Sequence, residues 1–122
     1  MKMLSRILLW FSAIVFAVGT WIHSSAFGRM SAAVANSDLP SFLGSGFRTL
    51  WVQDSVIQIV LAIVFVVVGI RPSAARKPII ILIALIPMTT AVLIYCFIGN
   101  FIGGHIFLTG ALAAILGALL KE

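Results

Sequence analysis

Residues 79–98 read IIILIALIPMTTAVLIYCFI, twenty positions without a single charge, bounded by Arg76-Lys77-Pro78 on one side and Gly99-Asn100 on the other. A helix of ~20 apolar residues is the length that crosses a hydrocarbon core of ~30 Å, so this stretch predicts a membrane span. Three further runs have the same character: Met3 to Ile22, Leu50 to Ile70 and Phe101 to Leu120. The chain is thereby expected to be all-α: a single domain over residues 1–122, built as a four-helix transmembrane bundle with spans at 3–22, 50–70, 79–98 and 101–120.

Composition agrees. The chain carries 8 Lys and Arg and 3 Asp and Glu, 9% of its residues, against about 25% in an average soluble domain. Too few charges remain to coat a water-exposed surface, which excludes a soluble enzyme and a disordered tail. The one cysteine, Cys96, cannot form a disulfide framework or a multi-cysteine metal site alone; its apolar neighbours Leu93, Ile94, Phe97 and Ile98 suggest a packing role. Lys2 and Arg6 ahead of an apolar run, followed by Ser24-Ser25-Ala26, also have the form of a signal peptide. The run from Ile7 to Ile22 is longer than a signal core of roughly 7 to 15 residues, so it is read as a span.

The basic residues set an expected orientation. With the N-terminus in the cytoplasm, Lys2, Arg6, Arg71, Arg76, Lys77 and Lys121 lie inside and only Arg29 and Arg48 lie outside. The positive-inside rule then places both termini in the cytoplasm, most simply of a bacterial cytoplasmic membrane. Trp21, Trp51, Tyr95 and Phe101 fall at the outer boundary, where amphipathic rings prefer to sit, whereas Trp10 fits that belt less well. The net charge of +5 reads as topology and contact with anionic lipid, not nucleic acid, because the basic residues are scattered over three short segments.

The outer connection between the first two spans carries a stripe of its own. Leu39, Phe42, Leu43, Phe47 and Leu50 recur at helical spacing after Asp38, a candidate cap, and Pro40, suited to a first turn. This predicts a short amphipathic helix lying on the membrane surface or over the mouth of the bundle. The fourth span has Gly103, Gly110 and Gly117 at heptad spacing, with Ala114 and Ala118 alongside. Small residues on one face mark close helix approach in lipid, either inside this bundle or against a second copy or another membrane subunit. Pro87 is expected to kink the third span, with Thr89 or Thr90 serving the freed carbonyl of Ile83.

Polar side chains concentrate at the outer end: His23, Arg48, Asp54, Gln58, Asn100 and His105. An ionisable group inside a span needs a partner or a function. Asp54 and Gln58, four residues apart, share one helix face, and Arg48 is the expected partner of Asp54. Two arrangements are open. Asp54 could sit in the first turn of the second span, complementing the helix dipole beside an Arg, or Asp54, Gln58, His23 and His105 could converge in a small outward pocket for a ligand, ion or lipid headgroup. His23 and His105 are also conceivable as a bis-histidine haem b pair in a haem- or quinone-linked redox subunit, although C-x-x-C-H is absent. No nucleotide, hydrolase or metalloprotease motif occurs, so catalysis, a metal and a cofactor are not expected.

Phe47-Arg48 with Trp51 after an irregular outer loop, then Arg71-Pro72 and Arg76-Lys77 between the second and third spans, resembles the DoxX-like small four-helix membrane proteins. That resemblance implies a four-helix membrane fold and a non-catalytic accessory or stabilising role in a larger membrane complex.

Overall fold

A computed structural model describes residues 2–122. Five α-helices follow one another: α1 (Met3–Ser25), α2 (Phe27–Ala35), α3 (Ser41–Ile70), α4 (Lys77–Phe97) and α5 (Ile102–Leu119), with a single 3-10 turn at Pro72–Ala74. Four helical segments are long and apolar enough to cross a membrane, with α1 and α2 together forming the first. The protein is therefore an all-α four-helix bundle of membrane character.

The second span differs from its expected form. No proline interrupts residues 41–70, and despite Gly44-Ser45-Gly46 the stripe expected to form a separate surface helix is instead the start of α3. At a rise of about 1.5 Å per residue, its 30 residues extend about 45 Å, whereas the 18 residues of α5 extend about 27 Å. The first turns of α3, ahead of Phe47, thus project beyond the α4–α5 hairpin, and α2 packs beside α3. Arg48 ties the two together, donating from Nε to the Ser31 hydroxyl (2.8 Å) and from Nη2 to the Ser31 carbonyl (3.2 Å). Pro40 occupies the cap position with no side-chain cap bond, so Asp38 does not cap α3.

Backbones approach closely between α1 and α3, α1 and α5, and α4 and α5. The order across the bundle is therefore α3, α1, α5, α4. Aromatic rings fill the centre of α3, α1 and α5: Phe16 of α1 stacks on Phe65 of α3 (centroids 6.0 Å apart) and tilts against Phe107 of α5 (6.1 Å). Leu9, Ile80, Ala84 and Ala91 complete this core, each fully buried. Outward-facing positions such as Ile63, Leu82 and Phe97 remain apolar and exposed, as a lipid-facing surface requires.

Two hydrogen bonds fix the contact between α1 and α5. Ser5 donates to the carbonyl of Gly117 (2.6 Å) and Ser12 to that of Gly110 (2.7 Å). The glycine strip of the fourth span is thus occupied within the chain. A Cβ at Gly110 would lie 2.4 Å from the Phe16 ring, and one at Gly117 would lie 3.1 Å from Leu9 and 3.2 Å from the Ser5 carbonyl. Ala114 is fully buried as well, so Gly110, Ala114 and Gly117 pack inside the bundle, while Gly103 stays half-buried. Gly103 meets Phe101 of its own turn and Ile94 of α4. Thr89 and Thr90 donate to the carbonyls of Leu85 and Ile86, one turn back, and neither serves Ile83.

Both termini and the 71–77 connection meet at one end, where the cationic side chains act as caps. Arg6 donates to the carbonyls of Gly69 (3.2 Å) and Ile70 (3.4 Å), Lys77 to that of Leu119 (3.1 Å), and Lys121 to those of Pro72 (2.6 Å) and Ala75. Helix C-termini leave carbonyls unpaired and carry partial negative charge, so cations there satisfy both needs. Trp10 belongs to this end too, lying across Gly69, where a Cβ would approach its indole nitrogen to 2.4 Å. That packing explains its distance from the aromatic belt.

Candidate functional site

At the opposite end, a cavity of about 390 Å³ opens between α1, α3, α4 and α5. Its wall is mostly aliphatic and aromatic, with Ile94, Ile98, Ile106, Phe47, Trp51, Phe101 and Phe107, and its polar groups are His23, Asp54, Gln58 and Thr90. Ser5, Ser12 and Gly19 follow one another at seven-residue steps on α1, opposite Gly117, Gly110 and Gly103 on α5. The first two steps are closed by serine hydrogen bonds. The third has no such bond: Gly19 faces Gln58 and Ile106, Gly103 faces Phe101 and Ile94, and both glycines line the cavity.

His23 is held from every side. Its ring stacks on Trp51 with centroids 4.2 Å apart, and the Trp51 indole N–H donates to the His23 carbonyl (3.0 Å). That carbonyl also receives the Ala26 N–H (3.3 Å), a tightened turn at the junction of α1 and α2. Nδ1 lies 2.9 Å from the Ser55 hydroxyl and Nε2 lies 3.4 Å from Asp54 Oδ2. A carboxylate accepts only, so Nε2 carries a hydrogen toward Asp54, and the Ser55 hydroxyl, beside Nδ1, also reaches the Trp51 carbonyl one turn back (3.5 Å). The same Asp54 oxygen accepts from Gln58 Nε2 (2.9 Å).

Gln58 is 2% exposed, and its amide oxygen is buried with no hydrogen-bond partner. An amide oxygen left unpaired in an apolar setting costs roughly 1–3 kcal/mol. It lies against Gly19, where a Cβ would come within 2.1 Å. Gly19 thereby admits the Gln58 amide to the cavity.

The expected constellation is divided. Asp54, Gln58 and His23 do converge, but Arg48 is turned to Ser31 and makes no pair with Asp54. Asp54 is not in a first helical turn, since α3 begins at Ser41. His105 belongs to a second group: the Tyr95 hydroxyl lies 2.8 Å from its Nδ1, and its Nε2 lies 2.7 Å from Asn100 Oδ1. With Asn100 accepting, Nε2 is the donor and Tyr95 donates to Nδ1. This group closes the α4–α5 hairpin, where Gly99 takes φ +93°, a left-handed helix end suited to glycine. Ser55, Trp51 and Gly19 were not expected at the site. The seven-residue spacing of Ser5, Ser12 and Gly19 was the available signal for Gly19. Cys96 is exposed and has no packing role.

Among the described residues, no group of three or more His, Cys, Asp or Glu side chains is placed to hold a metal ion. Compared with family models, curated proteins and solved structures, the chain matches none.

Proposed function

We propose that this multi-pass membrane protein is a non-catalytic binding protein whose cavity, at the end away from the termini, takes up a small amphipathic ligand from the outer leaflet. The observation that carries the reading is the unpartnered, buried amide oxygen of Gln58 in a mostly apolar cavity. Pockets of some 300–1,000 Å³ with a few convergent polar groups are the usual form of small-ligand sites. The basic end faces the cytoplasm by the positive-inside rule, so the cavity faces outward. Its position between α3 and α4, which do not approach closely, gives a ligand lateral access from lipid.

Mass spectrometry of protein purified in mild detergent tests this. A small molecule should accompany the wild type and be missing from Thr90→Phe, in which a ring fills the cavity. Its absence from both, in protein from its native membrane, would overturn the reading.

The accessory-subunit role, which the DoxX-like resemblance also implies, keeps one supporting observation. The projecting start of α3 exposes Leu39, Phe42 and Leu43 beside it, beyond the length a span needs, and a stoichiometric companion chain on purification would favour it. A bis-histidine haem gains no support, because both nitrogens of each imidazole already have protein partners.

A further inference from the structure

We infer that the head of the ligand is a protonated amine carrying at least one N–H, attached to a short apolar body. This rests on the cavity being a ligand site and goes further by naming the chemistry that the site can accept.

The donors around the cavity are already committed. Gln58 Nε2 donates to Asp54, the Trp51 indole to the His23 carbonyl, and His23 Nε2 faces Asp54. What remains is acceptor capacity. The Gln58 oxygen is unpaired, and the partners of Asp54 all fall on one carboxylate oxygen, Oδ2. A ligand must therefore donate. A carboxylate, a phosphate or a quinone carbonyl would bring acceptors to acceptors.

Charge points the same way. Arg48, the nearest cation along the chain, is held by Ser31, and no Lys or Arg lines the cavity. Asp54 thus presents its charge to the space with only the His23 and Gln58 N–H groups, both on Oδ2, against it. Phe47, Trp51, Phe101 and Phe107 surround that space, and ring faces attract a cation within about 6 Å of their centroids. An ammonium with N–H groups meets all three features: it pairs with Asp54, donates to Gln58 and lies against rings. A quaternary ammonium meets two of them and a neutral alcohol one.

The chemistry has two sources, a free amphipathic amine or the aminoethyl head of a membrane lipid, and the experiment separates them. Full-length protein in phosphatidylcholine nanodiscs is titrated calorimetrically at pH 7 with decylammonium, decyltrimethylammonium, decanol and decanoate, with empty nanodiscs as the blank. Decylammonium should bind roughly tenfold or more tighter than the other three, as expected for a charge-assisted hydrogen bond. Asp54→Asn should remove the preference for cations. Gln58→Met, which keeps the volume, should reduce only the preference for decylammonium over its trimethyl analogue, so the inference stays testable if one variant folds poorly.

Replacing part of the phosphatidylcholine by phosphatidylethanolamine adds the last arm. Competition with decylammonium identifies the lipid head as the source, and lack of competition identifies free amines; both support an ammonium site. Equal binding of decanol and decylammonium, unchanged in Asp54→Asn, would overturn the ammonium assignment while leaving the pocket standing. If no probe binds in a manner that Thr90→Phe abolishes, the pocket itself fails.

Discussion

Ser12 donates its hydroxyl to the carbonyl of Gly110 across 2.7 Å, and one heptad nearer the termini Ser5 does the same to Gly117. The antiparallel register these bonds set brings Gly19 and Gly103 to the next step, where the cavity opens. The serine bonds hold the two helices together at one end, and toward the other Gly19 lies against Ile106 of α5 and Gln58 of α3. In lipid such interhelical bonds contribute on average about 0.6 kcal/mol and at most about 1.7 kcal/mol.

Ser12→Ala is therefore expected to cost about 1 kcal/mol, and Gly110→Ala more. The added methyl would press into the Phe16 ring, which is locked between Phe65 and Phe107; overpacking of this kind costs typically about 1–3 kcal/mol. Reversible unfolding in mixed micelles measures both. A Gly110→Ala protein as stable as wild type would mean that α1 and α5 are not held in this register.

Gly19→Ala separates the cavity from the scaffold. Its methyl would meet the Gln58 amide oxygen and Ile106, both of them side-chain ends that can rotate, so the expected stability loss is small, about 1 kcal/mol. The Gln58 oxygen would be pushed off its position, and retention of any bound small molecule should fall several-fold. Unfolding midpoint and ligand content, measured on one preparation, distinguish the two effects.

How much of this was legible follows from which residues speak through local spacing. The four spans needed only apolar length, and Gly103, Gly110 and Gly117 announced a packing face by their repeat. The continuity of α3 was not readable, because Gly44-Ser45-Gly46 weakens a helix locally and yet lies within an unbroken one; the amphipathic stripe before Leu50 drew attention to a boundary that does not exist. The pairing of Asp54 was not readable. Arg48 lies close in sequence, but a continuous helix turns it toward α2, and His23 reaches Asp54 only because α1 and α3 pack side by side. His105 shares an end of the bundle with His23, yet Tyr95 and Asn100, fixed by the tight hairpin, hold it in a separate group.

Lys121 is 8% exposed and donates to two carbonyls of the 71–77 connection. Lys121→Met keeps the apolar stem and removes both charged hydrogen bonds, each typically worth about 1.5–3 kcal/mol. The connection should loosen, and trypsin should cleave after the exposed Arg76 several-fold faster than in wild type, the bond after Arg71 being blocked by Pro72. Unchanged cleavage would show that Lys121 does not restrain this segment.

The orientation has a direct test. Reporter fusions after Glu122 and within 31–37 should read opposite sides of the membrane, with the C-terminus cytoplasmic, because the capping cations Arg6, Lys77 and Lys121 gather at the end where the termini meet. An extracytoplasmic reading at Glu122 would invert the protein and turn the cavity toward the cytoplasm.

The pairing of His23 with Asp54 is best measured as a coupling. His23→Phe keeps an aromatic ring to stack on Trp51, and the Trp51 bond to the residue 23 carbonyl is unaffected because it is made to the backbone. What it removes is the contact with Ser55 and the N–H facing Asp54. Asp54→Asn removes the carboxylate charge and leaves Gln58 a neutral partner. If the two side chains interact as their 3.4 Å separation implies, the double variant should lose less stability than the sum of the single losses, by about 0.5–1.7 kcal/mol. The same cycle read on decylammonium affinity should differ in sign. His23→Phe frees Asp54 from its competing N–H and should tighten binding, whereas Asp54→Asn weakens it, and in the Asp54→Asn background the His23 change should have no effect. Calorimetric titration of the four proteins supplies both cycles, and additive affinities would show that His23 and the ligand do not compete for Asp54.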